Sequence, residues 1–279
     1  SDGCPNRDAD NEMRTTQLIH RKNAMNANNH TATGCPVPHD AHGAGGPPTG
    51  KSPVHFVLRR ASEVDAAADA ESPLGATIAW VRRFLARPNA DLGRAGPVCP
   101  FTPMALELDT IWMTEIQETS PDPQRIQDVI EECRKIFVET EPRDGPMAIN
   151  KVIMVVFSGL GEDAARWIDA MQAKLKPNFV DIGLMLGEFH SRNETPGLRN
   201  EDFRPLRSPI PMLVIRHMVE SDLPFLKRET DKPEVRISYL RSYLRQLGTT
   251  IRRNYFDQAV DALVNAEIEQ RSAAQGGAR

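Results

Sequence analysis

The first aromatic residue of this chain is Phe56, and the sequence before it is dominated by Asn, His, Gly, Pro and Thr. A segment of that composition cannot bury enough apolar surface to offset the entropy lost on ordering. Residues 1–70 are therefore expected to form a disordered low-complexity tail, residues 71–272 a single α+β domain, and residues 273–279 a disordered C-terminus. About 200 residues are enough for a substantial core.

Within the domain, Ser72-Pro73 places a capping residue before a proline at the first helical position, and Ile78, Val81 and Leu85 follow at helical spacing. That predicts a helix over 74–87. Leu106, Leu108, Trp112, Thr114 and Ile116 alternate as in a strand, while Ile126, Val129, Ile130, Cys133 and Phe137 repeat as on one helix face. The apolar run Val152 to Phe157 reads as a buried strand, and Ala164, Trp167, Ile168, Met171 and Leu175 as another helix. Ile182 to Phe189 and Met212 to Val219 supply two more strands. Two amphipathic helices close the domain, one carrying Ile237, Leu240, Tyr243, Leu244 and Leu247, the other Phe256, Ala259, Val260, Leu263 and Val264. The expected architecture is a small mixed or antiparallel sheet of three to five strands covered by about five helices.

The 34 basic and 38 acidic residues are mixed along the chain, so neither nucleic acid nor an anionic membrane is an expected partner. No apolar run approaches the ~18 residues that span a bilayer. Cys4, Cys35, Cys99 and Cys133 form no C-x-x-C pair and no signal segment opens the chain, which points to a reducing cytoplasm.

Gly45 to Ser52 satisfies the phosphate-loop pattern G-x-x-x-x-G-K-[ST]. Phosphate binding by that pattern needs a buried strand before it and a helix after it, so that backbone N–H groups converge on the anion. Pro36 to His42 upstream and Pro53 downstream provide neither, and a nucleotide site is rejected. Cys35, His39 and His42 lack a clear fourth ligand for structural zinc and are read as solvated. Cys133 lies on an apolar helical stripe and is read as core.

The chemistry-bearing region is Gly183 to Met218. A strand with Gly183 and Gly187 ends at His190, and the glycines remove side chains where a flat group could approach. A long polar loop follows, and loops at strand ends commonly carry function. Arg192, Arg199, Arg207 and Arg216, with His190 and His217, thus bracket two apolar strands, a composition suited to an apolar ligand with anionic ends. The plainer reading is that His190 caps a strand and the arginines are solvated or paired with Glu188, Glu194, Glu201 and Asp202.

Gly187 to Arg192, then Arg199, Phe203, Pro209, Pro211, Val214 to His217 and Phe225-Leu226, resembles the conserved block of the YqcI/YcgG family, and Pro97 to Ala105 is similar to its Cys-x-Phe-Ala segment. The resemblance spans about Gly96 to Leu226 and departs from the family pattern at Glu188, Asn193 to Gly197 and Arg216. Members of that family include haem-dependent enzymes that hydroxylate amine or guanidine nitrogen. The resemblance implies haem as cofactor, His190 as metal ligand with His217 as second candidate, and a haem-dependent oxygenase acting on a small nitrogenous or aromatic metabolite, in a biosynthetic pathway. Cys99 is a competing thiolate ligand, and Arg192, Arg199, Arg207 and Arg216 are the expected propionate partners.

A different class of function is a cofactor-free partner-binding module whose C-terminal helices, bearing Arg241, Arg245, Arg252 and Arg253, join two copies or dock an acidic domain. A homodimer through those helices is the corresponding assembly.

Overall fold

The computed structural model describes residues 56–67, 69–119 and 122–276. The phosphate-loop pattern at 45–52, the tail residues Cys4, Cys35, His39 and His42, and residues 277–279 lie outside the described residues.

Five strands form one mixed sheet: β1 (Arg59–Arg60), β2 (Ile111–Ile116), β3 (Val152–Phe157), β4 (Leu184–Phe189) and β5 (Met212–His217), in the order β1-β2-β3-β5-β4. Only β2 and β3 run parallel, with Ile111 opposite Val152 and Ile116 opposite Phe157. Between them the chain crosses through α4 (Pro123–Glu139), as a parallel pair requires. Strand β5 then lies antiparallel to both β3 and β4. The expected α+β class and mixed sheet are present.

The other helical segments are α1 (Ala61–Ala66), α2 (Pro73–Trp80), α3 (Thr102–Glu107), α5 (Ala164–Asp181), α6 (Leu223–Leu226), α7 (Pro233–Leu247) and α8 (Arg253–Gly276). Ser72 Oγ accepts from the Gly75 N–H at 3.1 Å, so the predicted cap starts α2, which continues into a wider π turn over Val81–Leu85. All five stripe residues of α4 are buried. They pack with α5 on one sheet face against Ile153, Val155, Leu184, Leu186, Leu213 and Ile215. Cys133 lies in that layer, where burial pushes its thiol up to about 12, so the core assignment holds. On the opposite face Met113, Met154, Val156, Met212 and Val214 meet Leu74, Ile78, Val81 and Leu85. A third cluster wraps the β4 edge, joining Met185 to α6, α7 and α8 through Leu223, Leu226, Tyr239 and Tyr243.

Two boundaries differ from expectation. Leu106 and Leu108 belong to α3 and its C-terminal turn, not to a strand; Pro103 sits in the first helical turn, and Asp109, at φ 50°, turns the chain before β2 begins. The folded unit also starts ahead of residue 71. β1 pairs with β2, the Arg60 N–H donates to Glu63 Oε2 at 2.9 Å, and Ala61 and Val64 are buried among the α2 residues. Val64→Ala should therefore lower unfolding stability by about 1.5 kcal/mol through two lost buried carbons. Urea denaturation checks this, and an unchanged midpoint would return residues 59–70 to the tail.

Strand β4 is a sheet edge, and two of its outward carbonyls are occupied. Gln172 Nε2 of α5 donates to the Leu186 carbonyl at 3.1 Å, and Asn193 Nδ2 to that of Glu188 at 3.2 Å.

Candidate functional site

The registers put the C-terminal ends of β2, β3 and β4 and the start of β5 at one end of the sheet, where the Phe157 N–H donates to the Pro211 carbonyl at 2.8 Å. His190 follows β4 directly, at this end. Its side chain is 4 % exposed, and Nε2 lies 2.8 Å from Oδ1 of Asp169, whose own side chain is 55 % exposed. Nδ1 is buried without a hydrogen-bond partner. One ring nitrogen is thus tied to a carboxylate and the other is bare.

Asp169 arrives on α5, and the same helix face explains how it is held in place. Residues three and seven positions later are Gln172, which caps Leu186, and Lys176, whose ammonium donates to the Phe225 carbonyl at 3.1 Å. Lys176 is 7 % exposed; burial, then the Arg228 charge, pushes its pKa down. The carboxyl of Glu188, next along β4, is pushed up by burial. Close by, Asp231 Oδ2 is buried without a partner, and burial with the Asp231 charge raises Tyr239 to about 12. Asp169, Lys176 and Asp231 were not legible as site residues, because nothing in their local spacing reports a contact across elements.

The loop after His190 is tied at its base, the Asn193 and Ser208 N–H groups donating to the His190 carbonyl at 3.2 and 3.4 Å. Glu194 accepts from Arg204 at 3.2 Å and Arg207 at 2.5 Å, and these two guanidinium groups hold its carboxyl below the usual range. Arg207 also donates to the Asn193 carbonyl at 3.1 Å, and Arg192 donates to the Glu162 carbonyl. Arg199 is exposed and makes no hydrogen bond or ion pair among the described residues. The expected pairing of loop arginines with Glu194 is therefore found for Arg207, joined by Arg204.

The glycines have local reasons of their own. Gly183 adopts φ +80° between α5 and β4, a conformation that side chains disfavour. A Cβ on Gly187 would meet Phe189 Cε2 at 3.2 Å, so the space above Gly187 is filled by the ring two residues on. That ring belongs to an aromatic row: Phe189 against Trp80, Trp80 against Phe84, and Phe84 against Phe203, with centroids 5.6–6.1 Å apart.

The remaining candidates sit at the other end. Leu184, not Phe189, is opposite His217, which puts His217 roughly 20 Å from His190 at ~3.3 Å per residue. Arg216 forks onto Asp222 with bonds of 2.7 and 2.6 Å, and Cys99 lies near enough to interact with the Arg216 charge. The His217 ring lies tilted by 58° against Phe137, with centroids 5.0 Å apart, and its Nε2 is buried and unpartnered. Burial, then the Lys151 charge, lowers His217 to about 4. A neighbouring ammonium opposes a bound metal cation there. The structure brings His190, Arg192 and Arg207 to one end of the sheet, and His217, Arg216 and Cys99 to the other.

Among the described residues no group of three or more His, Cys, Asp or Glu could hold a metal ion, and no helix is long and apolar enough to cross a membrane. The arginines named for a docking role are paired within the chain: Arg241 with Glu267, Arg245 with Asp181, Arg252 with Glu220 and Arg253 with Asp257.

A family model described as Domain of unknown function (DUF6875) matches residues 74–258, from α2 into α8. No curated protein and no solved structure matches the chain.

Proposed function

Given that this chain belongs to the DUF6875 family, whose description carries no activity, we propose from the His190 site that the protein is a haem-dependent oxygenase acting on a small nitrogenous or aromatic metabolite. The observation that carries the reading is the His190 ring, buried, with Nε2 on Asp169 and Nδ1 bare. A histidine that ligates a metal commonly donates its other ring N–H to a carboxylate. A single imidazole, with no clustered second ligand among the described residues, suits a metal that brings its own ligands, as haem iron does. The reaction class comes from the resemblance of Gly187 to Leu226 to the YqcI/YcgG family.

His190 would hold the iron, and the arginines proposed for the haem propionates are Arg192 and Arg207, which lie at that end, and Arg199 on the same loop. Arg199 is free to pair with them, whereas Arg192 and Arg207 would exchange their present acceptors. Arg216 stays with Asp222. Bound haem would supply O2 or peroxide activation at its iron.

The full chain, expressed with haem supply, should show an intense Soret band and the ferrous–CO spectrum of histidine ligation. His190→Ala should abolish both, while His217→Ala and Cys99→Ser should leave them. Loss of the spectrum in Cys99→Ser would move the ligand to the thiolate, and a well-folded wild type that stays colourless in excess haem would overturn the proposal.

A further inference from the structure

We infer that Asp169 is a positioning residue that holds His190 as its Nε2–H tautomer, leaving Nδ1 as the ring's acceptor atom. The ring nitrogen facing Asp169 is 2.8 Å from Oδ1. A carboxylate at neutral pH accepts hydrogen bonds and donates none, so the proton on that axis belongs to Nε2. Neutral imidazole carries one N–H, so Nδ1 keeps its lone pair. No other group competes for that choice, because Nδ1 is buried and meets no donor or acceptor.

The burial contrast makes the arrangement directional. His190 is 4 % exposed at its side chain and cannot exchange Asp169 for water, while Asp169, 55 % exposed, keeps part of its carboxylate hydrated. The helix supplies the rigidity: beyond Asp169, Gln172 on Leu186 fixes α5 to β4, and Lys176 on Phe225 ties it to α6. A carboxylate on a free loop would not select a tautomer in this way. Where the haem reading above applies, the inference rests on it in one further respect: Nδ1 is the ring atom left for iron, and haem would have to displace the side chains that now cover it.

The test begins on the haem-free full chain, labelled with 15N, by long-range 1H–15N correlation at fixed neutral pH. His190 should show a protonated Nε2, with its proton protected from exchange, and an unprotonated Nδ1. Asp169→Ala should lose that protected proton, and Asp169→Glu should recover it. A protonated Nδ1 in the wild type, or an unchanged Nε2 proton in Asp169→Ala, would overturn the inference whatever happens with haem. A colourless wild type would instead sink the haem reading and leave the tautomer result standing. On haem-loaded protein, Asp169→Ala should weaken haem affinity by roughly 10–100-fold, with Asp169→Glu restoring most of it. Unaltered affinity in Asp169→Ala would remove Asp169 from any part in ligation.

Discussion

Asp222→Ala should lower unfolding stability by about 3–5 kcal/mol, a large part of the ~5–15 kcal/mol typical of a domain. Asp222 is 3 % exposed at its side chain and takes both forks of Arg216, and it also accepts the Val219 N–H at 2.9 Å. Removing the carboxylate leaves the guanidinium beside β3 and β4 with a single carbonyl acceptor, that of His217 at 2.9 Å. The cost comes from that stranded charge more than from the lost attraction, since desolvating an ion pair offsets much of its Coulomb energy. Arg216→Met combined with Asp222→Leu should consequently recover most of the loss. Denaturant unfolding of the single and double variants measures this. A single-variant loss below about 0.5 kcal/mol, as for an exposed pair, would show that water reaches the fork.

Stability should also change with pH in two windows set at the same sheet end. His217 falls from 6.5 unfolded to about 4 folded, because burial and then Lys151 disfavour its cation. Its contribution is complete above about pH 6.5 and is lost as pH falls through about 4. Lys151 is buried under the end of α4, donating to the Phe137 and Thr140 carbonyls at 2.6 Å each. Burial lowers it from 10.5 to about 8, against the opposing Glu141 charge. The unfolded chain binds the extra proton between those values, so stability should rise with pH from about 8 towards 10. Each group contributes up to about 1.4 kcal/mol per pH unit inside its window. Above pH 10 the tyrosines act the other way: Tyr239, raised to about 12 by burial and Asp231, favours the fold below 10 and loses that contribution as pH passes 12. Lys151→Met should flatten the rise between pH 8 and 10, and His217→Phe the acid limb between 6.5 and 4. A Lys151→Met profile parallel to wild type would assign the alkaline slope elsewhere.

Long periodic segments were readable from sequence because burial imposes its own period. The five stripe residues of α4 and the apolar run of β3 are core in the fold as the pattern requires. Shorter segments misled. Leu106 and Leu108 alternate like a strand, yet Leu106 lies in a six-residue helix and Leu108 caps its C-terminus, with Pro103 in the first turn as the local start signal. The Ala-rich turn of α1 carries too few large side chains to announce its burial. At the site, His190 stood out as a chemical group at a strand end. Asp169 did not, since a carboxylate on the polar side of a helix is ordinary until β4 is laid beneath it. The loop arginines were visible, but their partners depend on how the chain folds back, which is why Arg216 and Arg207 lie at opposite ends of one strand pair.

The two side-chain amides that occupy the outward carbonyls of Leu186 and Glu188 bear on how this chain behaves when crowded. An open edge strand is a template on which another extended segment can add, and repeated addition leads to fibrous aggregates. With Leu186 and Glu188 already engaged, an incoming strand would have to displace both amides before gaining its first main-chain bonds. Gln172→Ala would free one of those positions, and the variant should form thioflavin-positive aggregates sooner than wild type under the same concentrated, agitated conditions. The residue that keeps α5 seated on its strand is also the one that denies that edge to a second chain.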